Sequence, residues 1–245
     1  MVPPKPSSPT QKTNALKNTS QAVSARSSTL KTHLARDLTE LESQLSSLGE
    51  LVIESVQCAI DAISSFDLEK VARIAENEKR INEMEISIEQ NCLKIIALHQ
   101  PVATDLRFLI VVLKVNNDLE RIADQAVNIG ARIQFLYDRP RIPVDLHFEW
   151  MGPSSLKMVE QALAALLGKD TQAARAVLDM DNEVDAFHAL TYRDLIKAMT
   201  DNPSITTEAV SHLTISSNIE RIADLGTNIA EEIIFMNDGE ILRHT

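Results

Sequence analysis

Aromatic residues make up only 4 per cent of this 245-residue chain, and six glycines and nine prolines are spread thinly over it. Between Pro9 and Pro101 there is no proline and a single glycine, Gly49. So long a stretch without breakers excludes a turn-rich β fold and implies long helices. Apolar runs such as Phe108 to Leu113 are far too short to cross a bilayer, which takes about 20 residues. No charged-then-apolar leader precedes a cleavage site, and the expectation is a cytosolic protein. The two cysteines, Cys58 and Cys92, sit among apolar helical residues, where reduced core thiols are expected rather than a disulfide. Histidine is too sparse for a His-rich metal site, and no glycine-rich phosphate loop or Ser/His/Asp set is visible.

Acidic charge is plentiful but unevenly placed. The whole chain carries −11, yet the first 36 residues hold six Lys or Arg and no acid, so the remainder carries −17. An acidic body argues against nucleic acid and for cations or a basic protein surface as partners. Residues 1–32, rich in Pro, Ser, Thr and Lys and poor in apolar periodicity, read as a disordered basic tail.

The remaining sequence is all-α and repeats itself. Asn117-Asp118-Leu119-Glu120-Arg121-Ile122-Ala123-Asp124 returns one hundred residues later as Ser217-Asn218-Ile219-Glu220-Arg221-Ile222-Ala223-Asp224, and each copy continues to an asparagine, Asn128 or Asn228. A repeat at long period marks a duplicated structural unit. Around the first copy, Phe108, Val112, Val115, Leu119, Ile122, Ala126, Ile129 and Ile133 alternate in steps of four and three, the seam of a packed helix. Leu38, Leu45, Val52, Ala59 and Phe66 step by sevens in a first helix from about Leu34. Ile74, Ile81, Ile88 and Ile95 do so in a second, which Asp67 caps and Pro101 ends. The expectation is two tandem repeated three-helix bundles made of six long helices. The first bundle covers residues 33–137, a Pro-containing linker 138–153, and the second bundle 154–238. Gly168 should end the fourth helix, Asp170 should cap the fifth, and Asn202-Pro203 should start the sixth.

Glu120 and Asp124 lie four residues apart, hence on one face, off the apolar seam. Like charges at that spacing cost a helix roughly 0.2–0.5 kcal/mol, and keeping the pair in both copies points to a cation between the oxygens. A plain solvated face is the competing reading. Aligning Asp67 with Asp170 matches Glu78 with Asp181 and Asn82 with Asp185, so the second helix of each half adds an acidic stripe, with Glu85 on the same face as Glu78. Two such stripes supply the hard oxygen donors that Mg²⁺ or Mn²⁺ takes, about six per ion. His188, one turn beyond Asp185, is a further candidate ligand.

Several stretches together resemble the PhoU family of phosphate-uptake regulators. They are Cys92-Leu93-Lys94-Ile95-Ile96-Ala97, Gln100-Pro101, Asp105-Leu106-Arg107, and the two Glu-Arg-Ile-Ala-Asp motifs. The resemblance spans about residues 33 to 236 and implies two three-helix bundles with metal clusters on Glu/Asp-xxx-Asp motifs. On this chain those motifs fall at Glu120/Asp124, Glu220/Asp224 and Asp181/Asp185, and more weakly at Glu78/Asn82, with Asn128 and Asn228 alongside. The metal implied is divalent or trivalent: Mg, Mn or Fe. The resemblance further implies a non-enzymatic cytoplasmic adaptor, a homodimer, that represses the phosphate regulon and restrains the phosphate ABC transporter when phosphate is plentiful. Its expected partners are a PhoR-type sensor histidine kinase and the transporter's ATPase subunit, with the membrane reached only through them. Asp105, Arg107, Arg121 and Arg221 are the candidate partner-binding residues. Gly152-Pro153 departs from the family pattern and should break or delay the fourth helix. The rival class is a ferritin-like di-metal oxidase or metal-storing bundle, but that chemistry uses Glu-x-x-His, which occurs nowhere in the chain.

Overall fold

The computed structural model describes residues 9–239, with side chains described from Thr32 onward. Six helices account for nearly all of it: α1 (Pro9–Ser65), α2 (Leu68–His99), α3 (Ala103–Leu136), α4 (Phe148–Gly168), α5 (Thr171–Asp201) and α6 (Thr206–Asp238). A single 3₁₀ turn, Pro203–Ile205, leads into α6. Helices α1, α2 and α3 pack on one another, as do α4, α5 and α6, which gives the two expected three-helix bundles.

The caps fall where the sequence puts them. Asp67 accepts a hydrogen bond from the Glu69 amide, and Asp170 accepts from the amides of Gln172 and Ala173. Each satisfies orphan donors of a first helical turn, worth about 1 kcal/mol. The heptad residues are interior: Leu45, Val52, Ile74, Ile81, Leu119, Ile122, Ile219 and Ile222 are all buried.

Three boundaries differ from expectation. Helix α1 starts at Pro9 rather than near Leu34, so backbone from residue 9 belongs to a helix and not to the expected tail; residues 1–8 lie outside the described residues. Proline is tolerated at a first helical position, and nothing between there and Ser65 forces an end. Helix α4 starts at Phe148, and Gly152-Pro153 sits inside it. Pro153 removes one amide donor, while Gly152 lies so close to α1 that a Cβ there would meet Ile60 Cγ2 at 2.8 Å. Packing against α1 thus holds the turn that sequence alone would break. Helix α4 includes Gly168, and Lys169 takes the left-handed position that closes it, with φ 53°.

The bundles do not hang from a linker as separate beads. Helix α1 packs on α4 and α3 on α6, and one continuous apolar core runs through both halves. Gly49 opposes Leu163 just as Gly152 opposes Ile60, so at both places a missing side chain lets α1 and α4 approach. Helices α3 and α6 run antiparallel. Arg107 Nη1 donates to the Met236 carbonyl at 3.3 Å, Lys114 Nζ lies 2.6 Å from Glu232, and Arg139 pairs with Glu208 at 3.1 Å. Arg107 thereby neutralises the carbonyl end of α6, a tie between halves. Among the described residues no helix is long and apolar enough to cross a membrane.

Candidate metal centre and the cleft beside it

Because α3 and α6 are antiparallel, their two Glu-Arg-Ile-Ala-Asp motifs lie side by side near mid-length. Each motif faces the second helix of its own bundle. In the second half, carboxylate oxygens of Asp181 and Asp185 on α5 and Asp224 on α6 lie within 4.8 Å of one another. It is the only such trio of potential ligands among the described residues. Glu220 completes the surroundings. Burial raises its carboxyl pKa above the ordinary glutamate value, and the charges of Asp224, Asp185 and Asp181 raise it further against the pull of Arg221.

The first half repeats the arrangement with different residues. The Glu120 carboxyl is also raised, by burial first, then by Asp124, Glu85 and Glu78, with Arg121 opposing. Glu85 shares the face of Glu78, and its own carboxyl is raised by burial and by Glu89. It belongs with Glu78, Glu120 and Asp124, a place the sequence suggests only through its shared face. Asn82 is exposed and brings no charge where Asp185 stands in the second half, and Asn128 is exposed too. Asn228, by contrast, lines the second-half cleft.

His188 is not among the three grouped carboxylates. Its Nδ1 shares a 2.8 Å hydrogen bond with Ser216 Oγ, beneath the acidic surface. The corresponding contact in the first half joins Asn116 Nδ2 to the Glu85 carbonyl at 3.0 Å.

What the donor set can do follows from its chemistry. Three aspartates from two helices, all oxygen and no sulfur, suit a hard cation and would leave coordination positions to water or a guest. They fit Mg²⁺, Mn²⁺ or iron and do not fit a thiolate-loving ion. Beside them opens a cleft of about 730 Å³ lined by Asp181, Asp185, Asp224, Leu225, Asn228 and Arg221, and also by Arg121 and Gln125 of α3. The four residues expected to bind partners therefore separate. Arg121 and Arg221 meet in this cleft, whereas Arg107 anchors the end of α6 and Asp105 stands in the first turn of α3.

The same architecture is found in solved proteins. A crystal structure of PhoU from Pseudomonas aeruginosa superposes with a TM-score of 0.82 at 31% identity, covering 84% of this chain and 99% of that one. The phosphate transport system regulatory protein PhoU from Streptococcus pneumoniae gives 0.80 at 29% identity, covering 86% of this chain and all of that one. A Burkholderia relative, a phosphate-specific transport system accessory protein PhoU homolog, is 34% identical over 212 residues, 85% of this chain and 90% of its own length. The PhoU domain matches twice, at residues 45–133 and 148–233, once on each bundle. Two PhoU domains fused through α1/α4 and α3/α6 thus make up this chain, which belongs to the PhoU family.

Proposed function

We propose that this chain is a cytoplasmic, non-enzymatic regulator of phosphate transport. In this reading it restrains the phosphate ABC transporter through its ATPase subunit and represses the phosphate regulon through a PhoR-type histidine kinase while phosphate is plentiful. The names of its relatives, phosphate-specific transport accessory proteins, support the transport role. The observation that carries the site is the convergence of Asp181, Asp185 and Asp224 from two helices within 4.8 Å. A divalent or trivalent ion held there would neutralise a surface that otherwise repels any acidic partner, and its open positions could take a partner's carboxylate or phosphate. The homodimer expected of the family is part of the same proposal.

Replacing Glu220 and Asp224 together by Ala tests it. Both side chains lie outside the apolar core, so the fold should hold within about 1 kcal/mol of the metal-free parent. In a strain lacking its own regulator, the wild-type gene should silence a phosphate-starvation reporter in rich medium and the double variant should not. Arg221→Ala should retain bound metal. A folded, metal-free double variant that still silences the reporter would move the working surface elsewhere.

A further inference from the structure

Helix α1 is longer than the bundle it belongs to. Helix α2 ends at His99, whose Nε2 lies 2.9 Å from Asp37, and α4 ends beside Lys169, whose Nζ lies 3.0 Å from Glu42. Those contacts fix the level at which the neighbouring helices stop. Residues 9–31 of α1 precede that level, a run of about 35 Å at 1.5 Å per residue. The run holds Lys12, Lys17, Arg26 and Lys31 and no acid, and its few apolar residues include Leu16, Val23 and Leu30, seven apart. Most helical stability in proteins comes from packing an apolar stripe on something else.

Further along the same helix, a groove of about 200 Å³ opens between α1 and α4. Leu45, Ile53 and Leu167 line it, and the small Ser46 and Ala164 leave it open. Glu50 and Glu160 line it too, both exposed and neither in a hydrogen bond or ion pair among the described residues. The nearby Glu42 and Glu54 are already held, by Lys169 and Arg73. An apolar groove with two uncommitted carboxylates is complementary to a cationic helix that carries spaced apolar anchors.

We propose that this groove receives residues 9–31 of a second copy of the chain, exchanged reciprocally across a two-fold axis. The proposal rests on the homodimer reading given above and names its interface. The arm does not reach the groove of its own chain, because both belong to α1, which runs unbroken from Pro9 to Ser65. Residues 45–53 span about 12 Å, and Leu16 to Val23 about 10 Å, so two anchors fit. An antiparallel lie that sets Val23 at the level of Ser46 also sets Leu16 at the level of Ile53. The axis then passes α1 near Leu34, and each copy gives an arm and receives one, as a closed two-fold contact requires.

Analytical ultracentrifugation of the full chain tests this. The wild type should dimerise, and Lys12→Glu/Lys17→Glu/Arg26→Glu in the arm should raise the dimer dissociation constant roughly tenfold or more. Glu50→Lys/Glu160→Lys in the groove should do the same, with helical content unchanged in both. Leu16→Ser/Val23→Ser should weaken the dimer without altering charge. Combining the arm and groove reversals in one chain restores opposite charges across the contact and should recover most of the affinity. Glu76→Lys/Glu83→Lys, an equal change of charge at exposed positions of α2, should not rescue the arm variant. A dimer that depends on neither arm nor groove, or on only one of them, overturns the exchange and leaves the homodimer standing. So does rescue by the α2 change, which would make net charge the cause. A wild type that stays monomeric overturns both.

Discussion

At equivalent positions the two bundles solve one geometric problem with different residues. Glu78, Asn82 and Glu85 on α2 correspond to Asp181, Asp185 and His188 on α5, in the alignment fixed by the caps Asp67 and Asp170. The first half spreads its carboxylates along α2 and breaks the row with an asparagine, and no trio of ligand atoms forms there. The second half gathers shorter aspartates and forms one. Beneath the surface, Asn116 bonds to Glu85 where Ser216 bonds to His188. Deeper still, Asn77 is fully buried with neither amide atom hydrogen-bonded, at the position held by Met180 in the second half. The duplicated scaffold is shared, and the chemistry laid on it has diverged.

The largest expected effect tests what the halves share. Ile122 and Ile222 are both completely buried, so replacing either by Ala should cost about 2–5 kcal/mol. With one continuous core, either variant should unfold in a single calorimetric transition shifted as a whole. Two separated transitions would show that the bundles are independent after all.

Next comes the site. Asp185→Asn gives the second half the first half's residue and should weaken Mn²⁺ there by ten- to a hundredfold in titration. The reverse change, Asn82→Asp, should add or strengthen a first-half site. If Asp185→Asn leaves affinity untouched, the difference between the halves lies elsewhere.

A smaller gain is expected at Asn77. Two buried amide atoms without partners carry a desolvation penalty of about 1–3 kcal/mol. Asn77→Met, copying the second half, should therefore raise the midpoint of urea unfolding by an amount of that order. A loss would mean that the amide is satisfied in solution.

The smallest effect is with pH. The carboxyls of Glu120 and Glu220 lie above their usual range because of burial and neighbouring acids, and burial lifts Asp118 to about 6. Between the unfolded and folded values the native state binds more protons than the unfolded chain, so metal-free stability falls as pH rises through that window. The melting temperature of chelator-stripped protein should thus rise on going from pH 7 towards pH 5, and less so in Glu220→Gln. Metal competes with the same protons, so its apparent affinity should fall over the same interval.

Much of this could be read from the chain itself. Seven-residue steps such as Ile74, Ile81, Ile88 and Ile95 need only local periodicity, and so do the caps at Asp67 and Asp170. The pairing of Asp181 with Asp185 and Glu220 with Asp224 follows from four-residue spacing on helices already placed. What stayed hidden depends on which helices meet. No periodicity says that α3 and α6 run antiparallel, so the meeting of Arg121 and Arg221, the tie from Arg107 to Met236, and the survival of α4 through Gly152-Pro153 could not be deduced. Local rules rightly mark Pro153 as a breaker, and the close approach of the adjacent Gly152 to Ile60, 92 residues away, decides otherwise. Glu85 was visible on the right face, but nothing in the sequence says that it approaches Glu120.

The placement of Arg121 bears on heredity as well as on chemistry. By descent it belongs to the first repeat, yet it lines a cleft whose aspartates belong to the second. Such an arrangement has the first repeat lending a residue to the second. Once joined, the repeats are no longer exchangeable modules. A gene fragment encoding residues 138–239 would keep every aspartate of the trio and lose one arginine of the cleft, together with half of the interface that seats α6. Drift in one copy then constrains the other, so paired substitutions should accumulate across α3 and α6 rather than within either repeat alone.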